Sequence, residues 1–294
     1  MKILLTGVTG QVGWELQRTL MTVGEVIPLR RNEMDLTQPN SIRRIIQEVK
    51  PDLIVNPAAY TAVDKAESEP ELVMATNGIA PGIIAESAKR IGAAMIHYSS
   101  DYVFDGTNTT PYTESDQPNP QNIYGKTKLV GEQAIAAVGI PHLILRTSWV
   151  YGLRGKNFLL TMQKLSQERE EIKVVNDQIG APTWSRAIAE ITALILSQAQ
   201  QNVSSFLTSK GGLYHLTASG QTSWYGFAQA IFAHDVQHSE RKLQKLIAIT
   251  SKDYPTAAKR PAYSLLNSDK LSNTFGLFIP DWQKALELVL AADN

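Results

Sequence analysis

Over the first half of the chain, short apolar runs alternate with longer segments in which apolar residues recur every three or four positions. The runs KILLT (2–6), EVIPL (25–29), DLIVN (52–56), AAMIHYS (93–99) and PHLILRT (141–147) predict strands. Segments 11–21, 41–49, 71–90 and 124–138 carry the spacing of helices packed on one side. Strand and helix alternating at this period predict an α/β fold, a Rossmann-type doubly wound parallel sheet whose crossovers are right-handed. Beyond about residue 150 the pattern loosens. Helices are expected at 157–171, 185–200 and 223–235 and a short strand at 212–218, while the proline-punctuated stretch 254–267 reads as irregular. The expected organisation is an NAD(P)-binding Rossmann domain over 1–150 and a smaller mixed domain over 151–294. The second is mainly substrate-binding, with some segments returning to the Rossmann core.

With 294 residues, 43% of them hydrophobic, the chain can bury a large core. Its 28 basic residues equal its 28 acidic ones, so nothing points to nucleic acid or an anionic membrane as partner. The absence of cysteine excludes disulfides, thiolate metal sites and thiol nucleophiles. The first glycine follows six residues of the amino terminus, and no apolar run approaches ~18 residues, so the expected location is cytoplasmic. Of the histidines, His234 and His238 are four apart but have no obvious further zinc ligand nearby, and His97 is expected to be packed and hydrogen bonded. The run 168–171 (EREE) reads as the solvated end of a helix.

Candidate chemistry begins at the first predicted turn. Gly7, Gly10 and Gly13 form G-x-x-G-x-x-G directly after a strand and at the opening of a helix, the context in which backbone approaches a pyrophosphate. At the end of the second strand, where NAD calls for a carboxylate on the ribose, the chain has Arg30 and Arg31. Guanidinium groups there suit a 2′-phosphate, so the expected cofactor is NADPH, with NADH the alternative. Asp35 and Leu36 would border the adenine.

Ligands of such a sheet bind beyond the carboxyl ends of its strands. Ala59, Tyr60 and Thr61 follow the third strand, Ser99, Ser100 and Asp101 end the fourth, and Ser148 and Trp149 follow the fifth. Tyr124 and Lys128 lie one helical turn apart on one face. An ammonium near a phenol lowers its pKa, and a phenol beside a serine hydroxyl can protonate a ketone oxygen as hydride arrives at carbon.

The glycine motif, the serine on the fourth strand and Y-x-x-x-K together resemble the extended short-chain dehydrogenase/reductases. More narrowly, TGQVGWELQ, AAYTAVDKAESEPE, HYSSDYVFDG, YGKTKLVGE, RTSWVYG and NDQIGAPT resemble the dTDP-4-dehydrorhamnose reductase family over nearly the whole chain. The resemblance implies NADPH-dependent reduction of a 4-keto nucleotide sugar. It assigns Tyr124 as proton donor, Lys128 as the residue that tunes it and holds the nicotinamide ribose, and Ser100 as the group that orients the ketone. Asp101 and Trp149 match the family's substrate contacts, and Gly10, Gln11, Val12, Arg30, Asp35, Leu36, Ala59, Tyr60 and Thr61 its cofactor contacts. Some relatives are dimers bridged by Mg²⁺ through glutamates, one of which matches Glu15. After GAPT, however, this chain places Arg186 where the family pattern has an acid, with Glu190 one turn further on. Mg²⁺ and the choice between monomer and homodimer are therefore left open. The runners-up are a nucleotide-sugar epimerase and a non-catalytic NADP-binding regulatory subunit of the same fold.

Overall fold

The computed structural model describes residues 1–199, 202–234 and 241–291, so His238 lies outside the described residues. Five strands, β1 (Lys2–Leu5), β2 (Glu25–Pro28), β3 (Leu53–Asn56), β4 (Ala94–Ser100) and β5 (His142–Thr147), fall within a residue or two of the predicted runs. With strand Gly212–His215 they form a six-stranded sheet in the order Gly212–His215, β5, β4, β3, β1, β2. Every pairing in it is parallel. The order reverses between β1 and β3, the switch point at which such sheets open a crevice.

The strands read as continuous apolar runs because both faces of the sheet are covered. Ile3, Leu5, Leu53, Val55, Ile96, Leu143 and Leu145 face one core, shared with Ile188, Ile191 and Ile195 of helix Ser185–Ser197. Leu4, Ile54, Met95 and Ile144, one residue out of phase, face the other, shared with Ile42 and Ile46 of helix Pro39–Val49 and Ile84 of helix Ala80–Ile91. Several parts of the chain beyond residue 150 thus join the sheet: helix Ser185–Ser197, which packs on helix Gln11–Thr19, the edge strand Gly212–His215, and helices Val203–Lys210 and Asp269–Phe275, whose Val203, Leu207, Leu271 and Phe275 enter the first core.

A third core gathers Tyr151, Leu159, Ile172, Phe227, Trp282 and Leu286. Around it are parallel strands Glu171–Val175 and Lys245–Ile249, together with the short pair Ile179–Gly180 and Thr222–Ser223. The helix expected over 157–171 ends at Glu168. Glu171 already begins a strand, because the Glu170 carbonyl accepts the amides of Gln244 and Lys245. The acidic run is therefore a helix end turning into a strand.

The long helix expected over 71–90 is broken into Pro70–Val73, a π-helical turn Met74–Ile79, and Ala80–Ile91. Pro81 has no amide proton for the helical ladder, and the widened turn presents Asn77 sideways. Its side chain accepts from the Tyr60 amide at 2.8 Å and donates to the Tyr60 carbonyl at 3.0 Å, fixing the loop after β3.

Helix Ile123–Val138 is held to β5 by a buried ion pair. Arg146 Nε and Nη2 donate to the two carboxylate oxygens of Glu132 at 2.9 and 2.7 Å, and both side chains are almost wholly out of water. Removing one partner would strand the other charge. Glu132→Ala is expected to lower the unfolding free energy by ~3–5 kcal/mol, measured by urea titration; a loss under ~1 kcal/mol would show that Arg146 finds other compensation.

Candidate active site

A cavity of about 550 Å³ opens at the carboxyl ends of β1, β3 and β4. Its phosphate end is the first turn. Gly7 has φ +60°, and a Cβ on Gly13 would lie 2.1 Å from the Gly7 carbonyl oxygen, so only glycine lets helix Gln11–Thr19 start this close to β1. Gly10, the residue before that helix, offers no side-chain cap, so first-turn amides are free to meet an anion.

The structure gathers all the residues expected at a dinucleotide around this one cavity: Gly7, Gly10, Gln11, Val12, Gly13, Arg30, Arg31, Asp35, Leu36, Ala59, Tyr60, Thr61, Tyr124 and Lys128. Arg30 and Arg31 are exposed at its rim. Bonds from Thr37, together with the Arg31 charge, hold the Asp35 carboxyl below its ordinary range, opposed by partial desolvation. Sequence reasoning missed Thr6, Thr9, Pro57, Thr147 and Lys156, which also line the cavity. Lys156 lies in an irregular stretch with no periodicity to flag it.

Tyr124 and Lys128 reach the cavity because helix Ile123–Val138 crosses very close to the turn after β4. A Cβ on Gly125 would lie 2.1 Å from the Tyr102 carbonyl oxygen, which explains the glycine following the tyrosine. Asn122 caps this helix by accepting from the Gly125 amide at 2.8 Å. The Tyr124 ring stands edge-on to Tyr102 with centroids 5.5 Å apart. Burial raises its phenol above the ordinary tyrosine value, and a hydrogen bond with Ser100 opposes that shift.

The expected lowering of this phenol by Lys128 is not what the structure gives. Lys128 Nζ donates to the Tyr98 carbonyl at 2.6 Å and lies 3.3 Å from His97 Nε2. Burial brings the ammonium down to about 8, against the attraction of Glu132. The tyrosine is therefore a protonated acid at neutral pH.

Ser100 donates to Asp101 Oδ1 at 2.9 Å, and Ser264 also hydrogen bonds that carboxylate. Asp101 is only 2% exposed, and neither it nor Ser100 lines the cavity, to which β4 contributes Tyr98 and Ser99. Desolvation pushes it up to about 6. Ser148 is turned into structure, donating to the Ala181 carbonyl at 3.0 Å. Trp149 adopts φ +45° and stacks on Trp224 with centroids 3.6 Å apart and planes 5° off parallel. Gly180 lies against its indole, where a Cβ would come within 2.6 Å. Glu15 stands apart from any cluster, since among the described residues no three His, Asp or Glu side chains gather as a metal site would need. Arg186 and Glu190 pair with each other at 2.7 Å on an exposed helix face.

A parallel doubly wound sheet, a glycine turn at its switch point and a tyrosine–lysine pair lining the cavity, the tyrosine hydrogen bonded to a serine of β4, define the short-chain dehydrogenase/reductase class. The family model described as RmlD substrate binding domain matches residues 1–294. The dTDP-4-dehydrorhamnose reductase of Burkholderia thailandensis is 49% identical over 292 residues, 98% of this chain and 97% of that protein. The crystal structure of a dTDP-4-dehydrorhamnose reductase from Clostridium acetobutylicum superposes with a TM-score of 0.91 at 37% identity, covering 99% of each chain. That of the Bacillus anthracis dTDP-4-dehydrorhamnose reductase in complex with NADP gives 0.89 at 34%, again over 99% of each. The chain belongs to the RmlD family of dTDP-4-dehydrorhamnose reductases. Among its described residues no helix is long and apolar enough to cross a membrane.

Two expectations follow from the geometry. Gly13→Ala must push the first turn apart, and a fluorescence titration should show NADPH binding weakened at least ~10-fold; unchanged affinity would place the pyrophosphate elsewhere. The second concerns Asp101, whose folded pKa of about 6 exceeds its ordinary value of 3.8, so that between these values the folded chain binds the extra proton. Stability should therefore fall by ~2–3 kcal/mol as pH rises through that window. Urea titrations of native protein and Asp101→Asn should differ in that slope; parallel slopes would mean Asp101 is not desolvated.

Proposed function

We propose that this chain reduces the C4 ketone of dTDP-6-deoxy-L-lyxo-4-hexulose to dTDP-L-rhamnose, with NADPH as reductant, the last step of dTDP-rhamnose synthesis. The observation that carries it is that Tyr124, hydrogen bonded to Ser100, and Lys128 line one end of a cavity whose other end is a glycine turn. Names of the relatives over full length support the substrate, and the NADP complex of one of them supports the cofactor.

The glycine turn fits a dinucleotide, because its packed backbone leaves room and free amides where a pyrophosphate would lie. Gly7, Gly10, Gln11, Val12 and Gly13 would hold the pyrophosphate, Arg30 and Arg31 the 2′-phosphate, and Asp35 and Leu36 the adenine side. Ala59, Tyr60, Thr61 and Lys128 would hold the half that carries the nicotinamide. The bound dinucleotide supplies a hydride.

The chain itself manages the proton. Tyr124, kept neutral by burial, donates its hydroxyl proton to the ketone oxygen. Ser100 donates its proton to Asp101 Oδ1 in this structure, so orienting the ketone oxygen requires its hydroxyl to turn from that carboxylate. Lys128 keeps a positive charge beside the site below about pH 8, favouring the oxyanion that develops. Asp101, through Ser100, and Trp149, on its stack with Trp224, shape the sugar-nucleotide side. The substrate is a small nucleotide sugar, and a cytoplasmic location goes with this reading.

Loss of NADPH absorbance with enzymatically generated dTDP-4-dehydrorhamnose tests it. Native protein should oxidise NADPH rapidly, and Tyr124→Phe should be slower by at least ~100-fold. Should the native protein bind NADPH without oxidising it, the non-catalytic subunit becomes the better reading; a tightly held NAD⁺ that is not consumed would favour the epimerase.

A further inference from the structure

Four residues form a buried row across the middle of the sheet. Thr6 follows β1, Asn56 ends β3, His97 is its registered partner on β4, and Lys128 descends on them from helix Ile123–Val138. Their relative exposures are 3%, 0%, 1% and 1%. Thr6 Oγ1 lies 2.6 Å from the Asn56 side-chain amide, that amide 3.2 Å from His97 Nδ1, and His97 Nε2 3.3 Å from Lys128 Nζ. Thr6 and Lys128 also line the cavity, so the row joins the glycine turn at one end of it to the buried lysine at the other.

Hydrogen-bond capacity restricts what this row can do. An ammonium has three donors and no acceptor, so a charged Lys128 can meet His97 only if Nε2 carries a lone pair. The ring proton must then sit on Nδ1 and be accepted by the carbonyl oxygen of Asn56. This requires the Asn56 amide to turn over from the orientation in the structure, where Oδ1 accepts from Thr6 Oγ1 and Nδ2 faces His97 Nδ1, so that its nitrogen donates to Thr6 Oγ1, which also accepts from the Ala58 amide at 3.4 Å. The amide orientation as it stands makes Nδ1 an acceptor, puts the ring proton on Nε2 and requires Lys128 to be an uncharged amine. Burial and the Lys128 charge hold His97 well below its usual range, which keeps the ring neutral in either case.

We propose that His97 is a positioning residue for Lys128: its Nδ1-protonated ring accepts one ammonium proton while the Tyr98 carbonyl accepts a second, leaving one donor for a ligand in the cavity. This rests on the reductase reading, in which Lys128 serves the bound dinucleotide and the developing oxyanion. The other groups around the ammonium are few. Glu132 lies one turn along the helix and is neutralised by Arg146, Tyr124 lies one turn back, and the Tyr98 hydroxyl is turned away to Thr192 at 2.8 Å. Without His97, the charge would lose a partner that nothing nearby replaces.

The test is nuclear magnetic resonance on the whole protein, independent of turnover. The His97 ring nitrogens, identified by their disappearance in His97→Gln, should show a proton on Nδ1 and none on Nε2; a proton on Nε2 overturns the proposal whether or not His97→Phe folds. In lysine-labelled protein, with the Lys128 signal identified by Lys128→Met, His97→Phe should lower the Lys128 titration midpoint by at least ~1 unit. His97→Gln, whose amide oxygen still accepts, should restore most of it, and the alkaline limb of kcat/KM should move in step. A folded His97→Phe protein with an unmoved midpoint would also overturn the proposal. Native protein that binds NADPH but reduces no sugar nucleotide sinks the reductase reading alone, because the tautomer and the titration are read without substrate.

Discussion

The buried pair between Arg146 and Glu132 is the constraint on which the site depends. It fastens the helix bearing Tyr124 and Lys128 to the strand beside β4, where neither charge can be hydrated. A pair of this kind adds little net stability over apolar packing, but its geometry is bidentate and permits one register. One turn from Glu132, Lys128 is then committed to the interior as well. Its charge has the carboxylate nearby, the Tyr98 carbonyl and His97 in place of water.

Close backbone approach makes that arrangement reachable. Gly125 lets the helix rest on the Tyr102 carbonyl, and Gly131 lets it rest on Asn77, where a Cβ would come within 2.3 Å of the carbonyl oxygen. Asn77 belongs to the π-helical turn that pins Tyr60 at the cavity wall. One widened turn therefore sets both the loop after β3 and the seat of the helix. The cost of a π turn is offset by two hydrogen bonds to otherwise unpaired backbone at Tyr60.

On the substrate side the determining contact is aromatic. Trp149 leaves β5 in a left-handed backbone conformation rarely adopted by a bulky residue. It is kept there by the face of Trp224 and by the missing side chain at Gly180. Helix Trp224–His234 belongs to the third core, so the indole next to β5 is oriented by a part of the chain some 75 residues away.

Local pattern carried much of this. Apolar runs bounded by turn residues located β1 to β5, because strands buried on both faces need no alternation. The glycine turn and the Tyr124–Lys128 spacing placed the cavity, because strand ends at a switch point converge. Helix Val203–Lys210 and strand Lys245–Ile249 escaped notice: the first is rich in serine, the second short and half-exposed. The break at Met74–Ile79 was hidden in a sequence with good helical spacing. Sequence alone thus determined the central strands, the glycine turn and the placing of Tyr124 and Lys128 one helical turn apart, through periodicities and spacings that act within a few residues. Tertiary structure decided which groups share a dry interior: that Lys128 bonds His97 and Tyr98, that Asp101 accepts from Ser100, and that the Tyr124 phenol is raised. Those outcomes depend on desolvation and on partners distant along the chain, and no local pattern encodes either.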